Sequence, residues 1–260
     1  MFFQRNGFTY LSYKALYSFQ TLQTFILFRI LDPLFYYLLF ATLATAIAGR
    51  DYLGYVLLGN IVFYVGRNMM LNYLGMFRNE RQYGTLELNV AAPMSTFLLL
   101  FRKSVVPLLD SVFVFILGLL IGKMIFNVSV PIYQWGNLIL LIVVTMFSLL
   151  SFSLVFACLS LLFSNVNLFS NLSISVLHVL CGVSFSVAFL PPSMEAVARL
   201  LPMTHSIEAI RTIYGIESFP IWNLLAREFI IGGSYLFVAF VIVNVMERLA
   251  RRTGALFKNV

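Results

Sequence analysis

Long runs of apolar residues, broken by short polar stretches, dominate the chain. The clearest runs are residues 138–163 and 168–190, which contain no Asp, Glu, Lys or Arg. A helix needs about 20 apolar residues to cross ~30 Å of hydrocarbon. This length predicts an all-α integral membrane protein with six transmembrane helices, near residues 30–48, 52–75, 104–125, 137–163, 168–190 and 227–247.

The N-terminal segment, residues 1–29, has a different pattern. Apolar side chains recur there at spacings of three and four, from Phe8 to Ile26, with Ser and Gln between them. This period is typical of an amphipathic helix lying along the membrane surface. The alternative is a plain extension of the first span. The start of the chain lacks the pattern of a cleaved signal peptide, so we expect it to be retained.

Two of the predicted connections are too long to be simple turns. Residues 76–103 join the second and third spans, and residues 191–226 join the fifth and sixth. The second connection contains four prolines yet is too apolar for a loop in water. It predicts short re-entrant helices around 193–201 and 204–214 that enter the membrane or the protein without crossing.

Composition places the whole chain, residues 1–260, in one transmembrane domain. Hydrophobic residues make up 61% of it and the mean hydropathy is +0.93, which excludes an ordinary soluble domain. Of the 17 Lys and Arg residues, eleven fall in segments that are cytoplasmic if the N-terminus is cytoplasmic, and five fall outside. The positive-inside rule therefore predicts that both termini are cytoplasmic. The basic excess is explained by topology and indicates no nucleic-acid partner.

Residues suited to catalysis or metal binding are scarce. His178 and His205 are the two histidines, and neither has metal-ligand spacing from a Cys, a carboxylate or the other His. Cys158 and Cys181 lie in apolar runs, where a thiol acts as a small hydrophobe. We therefore expect no enzyme activity, metal or cofactor in this chain.

Three ionisable residues fall within predicted spans. Arg67, Asp110 and His178 are costly at membrane depth and are candidates for function by that criterion. Arg67 and Asp110 either pair between helices or, as we favour, reach the cytoplasmic interface by snorkelling. For His178, hydrogen bonding between helices is favoured over proton relay.

Two motifs resemble the permease subunit of type-2 ATP-binding-cassette (ABC) exporters, in the drug, antibiotic and lipo-oligosaccharide branch. The first lies in the 76–103 connection and comprises Arg78, Glu80, Arg81, Gly84, Thr85, Leu86 and Glu87, followed by Pro93. The second runs from Leu201 through Pro202 and Thr204 to Glu208 and Arg211. With six spans and cytoplasmic termini, the resemblance covers essentially the whole chain.

The resemblance implies a role for each motif. Gly84 permits a sharp turn and Thr85 caps a short coupling helix that docks on the ATPase subunit. The alternative is an interfacial loop whose charges only fix topology. The second motif implies an outer gate, in which Thr204 caps a helix and Glu208 and Arg211 share its face. A purely structural outer cap is the alternative.

The resemblance also implies the function and the partners. We expect one half of an export path in a bacterial cell membrane, completed by a second permease chain, identical or a close paralogue, and driven by two ABC ATPase subunits that bind ATP and Mg. The 27 Phe and 13 Tyr residues agree with an amphiphilic substrate, although core packing explains most of them. Alternatives are a polysaccharide or teichoic-acid exporter, an ATP-independent secondary transporter and an intramembrane enzyme.

Overall fold

The computed structural model describes residues 22–82, 96–129, 131–160 and 165–253. These residues are almost entirely helical and include no β-strand. Ten α-helices occur in this part of the chain, in the order α1 Leu22–Ile26, α2 Asp32–Ala48, α3 Leu53–Gln82, α4 Thr96–Lys103, α5 Val105–Phe126, α6 Trp135–Ser160, α7 Val166–Leu180, α8 Pro192–Ala198, α9 Thr204–Ile213 and α10 Ile221–Thr253.

A π-helical turn, Leu27–Leu31, joins α1 to α2 without a break. The Asp32 N–H bonds the Leu27 carbonyl five residues earlier, immediately before Pro33. Proline has no N–H to donate, so a wider turn before it rearranges the local hydrogen bonds while the helix continues. The predicted N-terminal segment, residues 1–29, lies mostly outside the described residues.

Four stretches of helix are long and apolar enough to cross a membrane. They are Leu27–Ala48, Leu100–Phe126, Trp135–Leu159 and Ile221–Arg248. They correspond to the predicted first, third, fourth and sixth spans. Helix α3 has 30 residues but is not one of the four, because Asn60, Arg67, Asn68 and Asn72 interrupt its apolar sequence. The count of six spans and the cytoplasmic termini remain predictions.

Helix α7 is shorter than the predicted fifth span. It ends at Leu180, whereas the apolar run continues to Leu190. Gly182 takes a left-handed conformation with φ of 69°, and its carbonyl points to a buried arginine instead of continuing the helix. The predicted span is therefore a 15-residue helix, Val166–Leu180, followed by a turn and a 3-10 segment, Val187–Phe189.

Helices α3 and α6 lie at the centre of the bundle. Helix α3 packs against α2, α5, α6 and α9, while α6 packs along α10 over a long interface. Their contact surfaces supply buried Leu57, Leu58, Ile61, Leu141 and Leu149. The outward faces of α2, α5 and α10 carry exposed large apolar side chains, as expected for surfaces that contact lipid or another apolar partner.

Candidate functional site

Helix α9 is short, does not cross the bundle and is nevertheless almost completely buried. Every residue from Thr204 to Arg211 is buried, and the helix contacts α3, α6 and α10. Ile207, Ile210 and Ile213 supply apolar contacts. The polar side chains on the same helix must therefore find partners inside the protein, because water does not reach them. Those partners tie α9 to several distant segments.

Arg211 makes the most extensive of these contacts. Its Nε donates to the Tyr55 carbonyl at 3.1 Å, and its Nη2 donates to the carbonyls of Gly182 and Val183 at 3.0 and 2.8 Å. The guanidinium carbon lies 3.5 Å from the centre of the Tyr55 ring. One side chain thus links α9, the start of α3 and the turn after α7. The Gly182 and Val183 carbonyls are C-terminal to α7, where a cation is electrostatically favoured.

The charge of Arg211 has an acidic neighbour in Glu217. The carboxylate of Glu217 is 3.9 Å from Arg211 Nη1. Burial lowers the pKa of Arg211, while Tyr55 and Glu217 oppose that shift. Burial also raises the pKa of Glu217, and the Arg211 charge opposes it. The pair places a compensated charge beneath the surface of the protein.

Gly59 on α3 makes room for this arrangement. A Cβ at position 59 would lie 2.3 Å from the Val183 carbonyl oxygen and 2.7 Å from Arg211 Nη2. Both distances are far below van der Waals contact. Because Gly59 has no side chain, the turn after α7 can approach α3, and Arg211 can bind the carbonyls of that turn.

Thr204 and Pro202, two further residues of the second motif, make contacts that the sequence did not predict. Thr204 does not cap α9; Met203 occupies the cap position, and the Thr204 hydroxyl donates to the Ala198 carbonyl at 2.7 Å. Thr204 therefore ties α9 to α8. Pro202 is buried, and its carbonyl accepts the Cys181 thiol at 3.5 Å. The prediction of a Thr204 cap was wrong because the preceding turn redirects this side chain.

Glu208 lies with a second set of partners. Its carboxylate is 3.2 Å from His205 Nδ1 and 3.8 Å from Arg199 Nη1. Arg199, the residue that follows α8, also donates to Glu195 of that helix at 2.9 Å. Glu208 therefore connects α9 to α8, while Arg211 connects α9 to α3, and the two residues stabilise different boundaries of the same helix.

Sequence reasoning missed two further polar contacts of α9. Glu228 on α10 is fully buried and accepts the Met203 N–H at 3.0 Å. Thr145 on α6 donates to Ser206 at 2.8 Å. Glu228 lies at the start of the predicted sixth span, so the criterion that selected Asp110 would also have selected Glu228. We call Arg211, Glu208, Ser206, Met203 and their partners the α9 hub.

Asp110 belongs to a separate polar network beside the middle turns of α3. Its carboxylate forms a salt bridge with Arg29 at 2.9 Å and accepts from the amides of Asn68 and Asn72 at 2.9 and 2.8 Å. Arg29 also donates to Asn68 at 2.9 Å. Asp110 thus pairs with Arg29 and not with Arg67, and its position relative to the membrane interface remains a prediction. Its carboxylate is held by residues of the π-helical turn and α3, none of which the sequence marked as its partner.

Arg67 and His178 occupy one face of α3 and α7 beside α2. The Arg67 guanidinium carbon is 5.8 Å from the ring centre of Tyr36 and 5.7 Å from that of Tyr64. His178 Nε2 is 3.4 Å from the Asn60 side-chain oxygen. This contact is consistent with the favoured role of hydrogen bonding between helices.

The coupling motif lies largely outside the described residues. Gly84, Thr85, Leu86 and Glu87 are outside them, while the backbone of Arg78, Glu80 and Arg81 forms the last turns of α3. On the far side of the motif, Arg102 and Lys103 lie in the last turn of α4. Among the described residues, no group of His, Cys, Asp and Glu has the arrangement of a metal site.

A comparison with known protein families decides the family. The model of the ABC-2 type transporter matches residues 8–214. The chain belongs to the ABC-2 type transporter family. It is therefore the membrane permease component of a transporter and not itself a catalytic subunit, and membership implies association with an ABC ATPase in the membrane. A search of curated proteins gave no match. The matched region of this ABC-2 permease includes the described part of the coupling motif and nearly all of the α9 hub.

Proposed function

We propose that this ABC-2 permease is the membrane-spanning half of an ATP-driven exporter of an amphiphilic small molecule, peptide or lipid. Two copies, or one copy and a close paralogue, face each other across a two-fold axis in a bacterial cell membrane. Two ATPase subunits bind beneath them and hydrolyse ATP with Mg. Residues 84–87, with Arg78, Glu80 and Arg81, form the contact with the ATPase.

The observation that supports this proposal best is the continuity of α3. Helix α3 runs unbroken from Leu53 to Gln82, which is 30 residues or about 45 Å at 1.5 Å per residue. Its first turns contact the α9 hub through Tyr55 and Gly59. Its last turns lead directly into the coupling motif. A rigid helix of this length transmits a displacement at one end to the other with little loss.

The α9 hub is the element on which such a displacement would act. Arg211 holds the turn after α7 against α3 by three hydrogen bonds to carbonyls. A small shift of α3 acts on Arg211 through the Tyr55 carbonyl, and the same guanidinium holds the Gly182 and Val183 carbonyls of the turn after α7. We propose that the hub is the outer gate and that closure of the ATPases releases or tightens it through α3.

Co-purification tests the ATPase partnership. The tagged chain is isolated from its native host as wild type and as the double variant Gly84→Pro with Glu87→Arg, followed by mass spectrometry and an ATPase assay. We expect an ABC ATPase with the wild type and its loss from the variant, since proline alters the backbone and arginine reverses a charge at the contact.

A matched control keeps the chemical changes and moves them to a different surface. Gly136→Pro with Asp51→Arg places proline in the first turn of α6, where it is tolerated, and reverses an exposed charge in the 3-10 turn Arg50–Tyr52 before α3. The control is expected to retain the ATPase. Recovery of no ATPase from any of the three proteins would contradict the proposal and favour a secondary transporter.

A further inference from the structure

One face of α3 carries a continuous series of polar and aromatic side chains. Asn60, Phe63, Tyr64 and Arg67 are spaced at three, four and seven residues and therefore share that face. Arg67 lies about 21 Å along the helix from Leu53, at 1.5 Å per residue, which is near its middle. A guanidinium at this depth is costly and needs a compensating partner.

The described residues supply only part of that compensation. Arg67 lies over the rings of Tyr36 and Tyr64, but among the described residues it makes neither a hydrogen bond nor an ion pair. Asp32 accepts the Tyr64 hydroxyl at 2.7 Å, and within the described ranges it forms no ion pair with Arg67. The donors of the Arg67 guanidinium are therefore available to an anionic group from outside the chain.

The rings beside Arg67 continue as an aromatic row. Tyr64 contacts Tyr36 with ring centres 5.3 Å apart, Tyr36 contacts Phe40 at 4.8 Å, and Phe40 contacts His178 at 5.0 Å. Tyr36, Phe40, His178 and Arg67 are all half-buried, so the row has an accessible side. We call these four residues with Tyr64 the aromatic row.

We infer that the aromatic row binds an anionic amphiphile, with its phosphate or carboxylate on Arg67 and its apolar chain along Tyr36, Phe40 and His178. This inference rests on the proposed function and narrows its substrate class to anionic amphiphiles. Arginine is suited to this role because its planar fork binds two oxygens of such a group. Aromatic faces add apolar contact at low entropic cost. Neither Arg29 nor Arg211 is suited, since each already bonds groups within the chain.

Native mass spectrometry of the full-length chain in detergent provides the binding test. The probes are dipalmitoyl phosphatidic acid, dipalmitoyl phosphatidylcholine, dodecyl phosphate and inorganic phosphate. We expect phosphatidic acid to bind at least about tenfold more tightly than phosphatidylcholine, the scale of one charge-assisted hydrogen-bonding group. Equal binding of the two lipids overturns the inference, whatever the variants show.

Substitutions locate the site. Arg67→Gln is expected to remove the preference for phosphatidic acid, and Arg67→Lys to retain part of it, because lysine keeps the charge and loses the fork. Arg227→Gln removes an exposed arginine on α10 and is the matched control. Retention of the full preference in Arg67→Gln overturns the assignment.

Dodecyl phosphate and inorganic phosphate show whether the site requires an apolar chain in addition to the anionic group. Dodecyl phosphate is expected to compete with phosphatidic acid, whereas inorganic phosphate at the same concentration is not, because it lacks the apolar chain. Competition by inorganic phosphate at equal concentration overturns the amphiphile part of the inference. This test needs no ATPase, so selective binding without a co-purified ATPase would contradict the proposed function and leave the site intact.

Discussion

At the scale of single residues, Arg211 and Gly59 form one unit. Arg211 donates to three carbonyls of buried residues, two of them in the turn after α7, and Gly59 leaves the space in which it does so. The sequence singled out Arg211 from its motif but gave no indication of its partners. Tyr55 is 156 positions away, and a contact across that separation exists only once α3 and α9 are packed.

Replacing Arg211 by lysine is expected to destabilise the protein by about 2–4 kcal/mol, because the ammonium cannot reach all three carbonyls and leaves buried acceptors unpaired. Thermal unfolding of the purified chain in detergent measures this loss. Arg227→Lys, at an exposed position of α10, is the control and is expected to leave the unfolding temperature unchanged. Equal unfolding temperatures for the Arg211 variant and the wild type would refute the hub.

Two glycines of the same helix provide a second comparison. Gly59→Ala is expected to cost about 1–3 kcal/mol, since its Cβ meets a backbone carbonyl that cannot move independently. Gly75→Ala meets nothing within 4 Å and is expected to be neutral or stabilising by up to about 1 kcal/mol, from the higher helix propensity of alanine. Unfolding curves of the two variants recorded side by side test this, and a loss of stability in Gly59→Ala alone is the expected result.

At the scale of helices, the sequence predicted those helix ends that nearby residues set, and it missed the end that depends on a tertiary contact. The two short helices expected around 193–201 and 204–214 occur as Pro192–Ala198 and Thr204–Ile213, because proline and turn residues fix their ends locally. The apolar run 168–190 gave no sign that its helix ends at Leu180. That end depends on Gly182 and on Arg211, which is distant in the sequence.

The network around Asp110 links α3, α5 and the π-helical turn before α2, and its strength is measurable. We expect Arg29→Gln and Asp110→Asn to destabilise the chain separately, while the double variant loses less than their sum. The difference, a coupling free energy of about 1–3 kcal/mol, reflects a charge pair in a site of low polarity. A double-mutant cycle of unfolding free energies gives this value, and additive losses would show that the pair is not coupled.

At the scale of the whole molecule, the two sites that we propose to act in transport lie at opposite ends of α3. The coupling motif begins in its last turns, and the α9 hub contacts its first turns. Membership of the ABC-2 family connects the chain with an ATPase. We propose that α3 is the physical route from that ATPase to the α9 hub. We propose that the substrate binds at the aromatic row, which lies beside the same helix.

The central claim, that the ATPase acts on the outer hub through α3, is tested most directly by pulsed electron spin resonance distances in the reconstituted complex. Spin labels at Ser193→Cys on α8 and Tyr133→Cys before α6 occupy exposed positions, while Cys158 and Cys181 are buried. We predict that ATP with vanadate shifts the distance between the labels in the otherwise native chain. Gly84→Pro with Glu87→Arg should abolish that shift. An unchanged distance in the native chain, or the same shift in both proteins, would contradict the account.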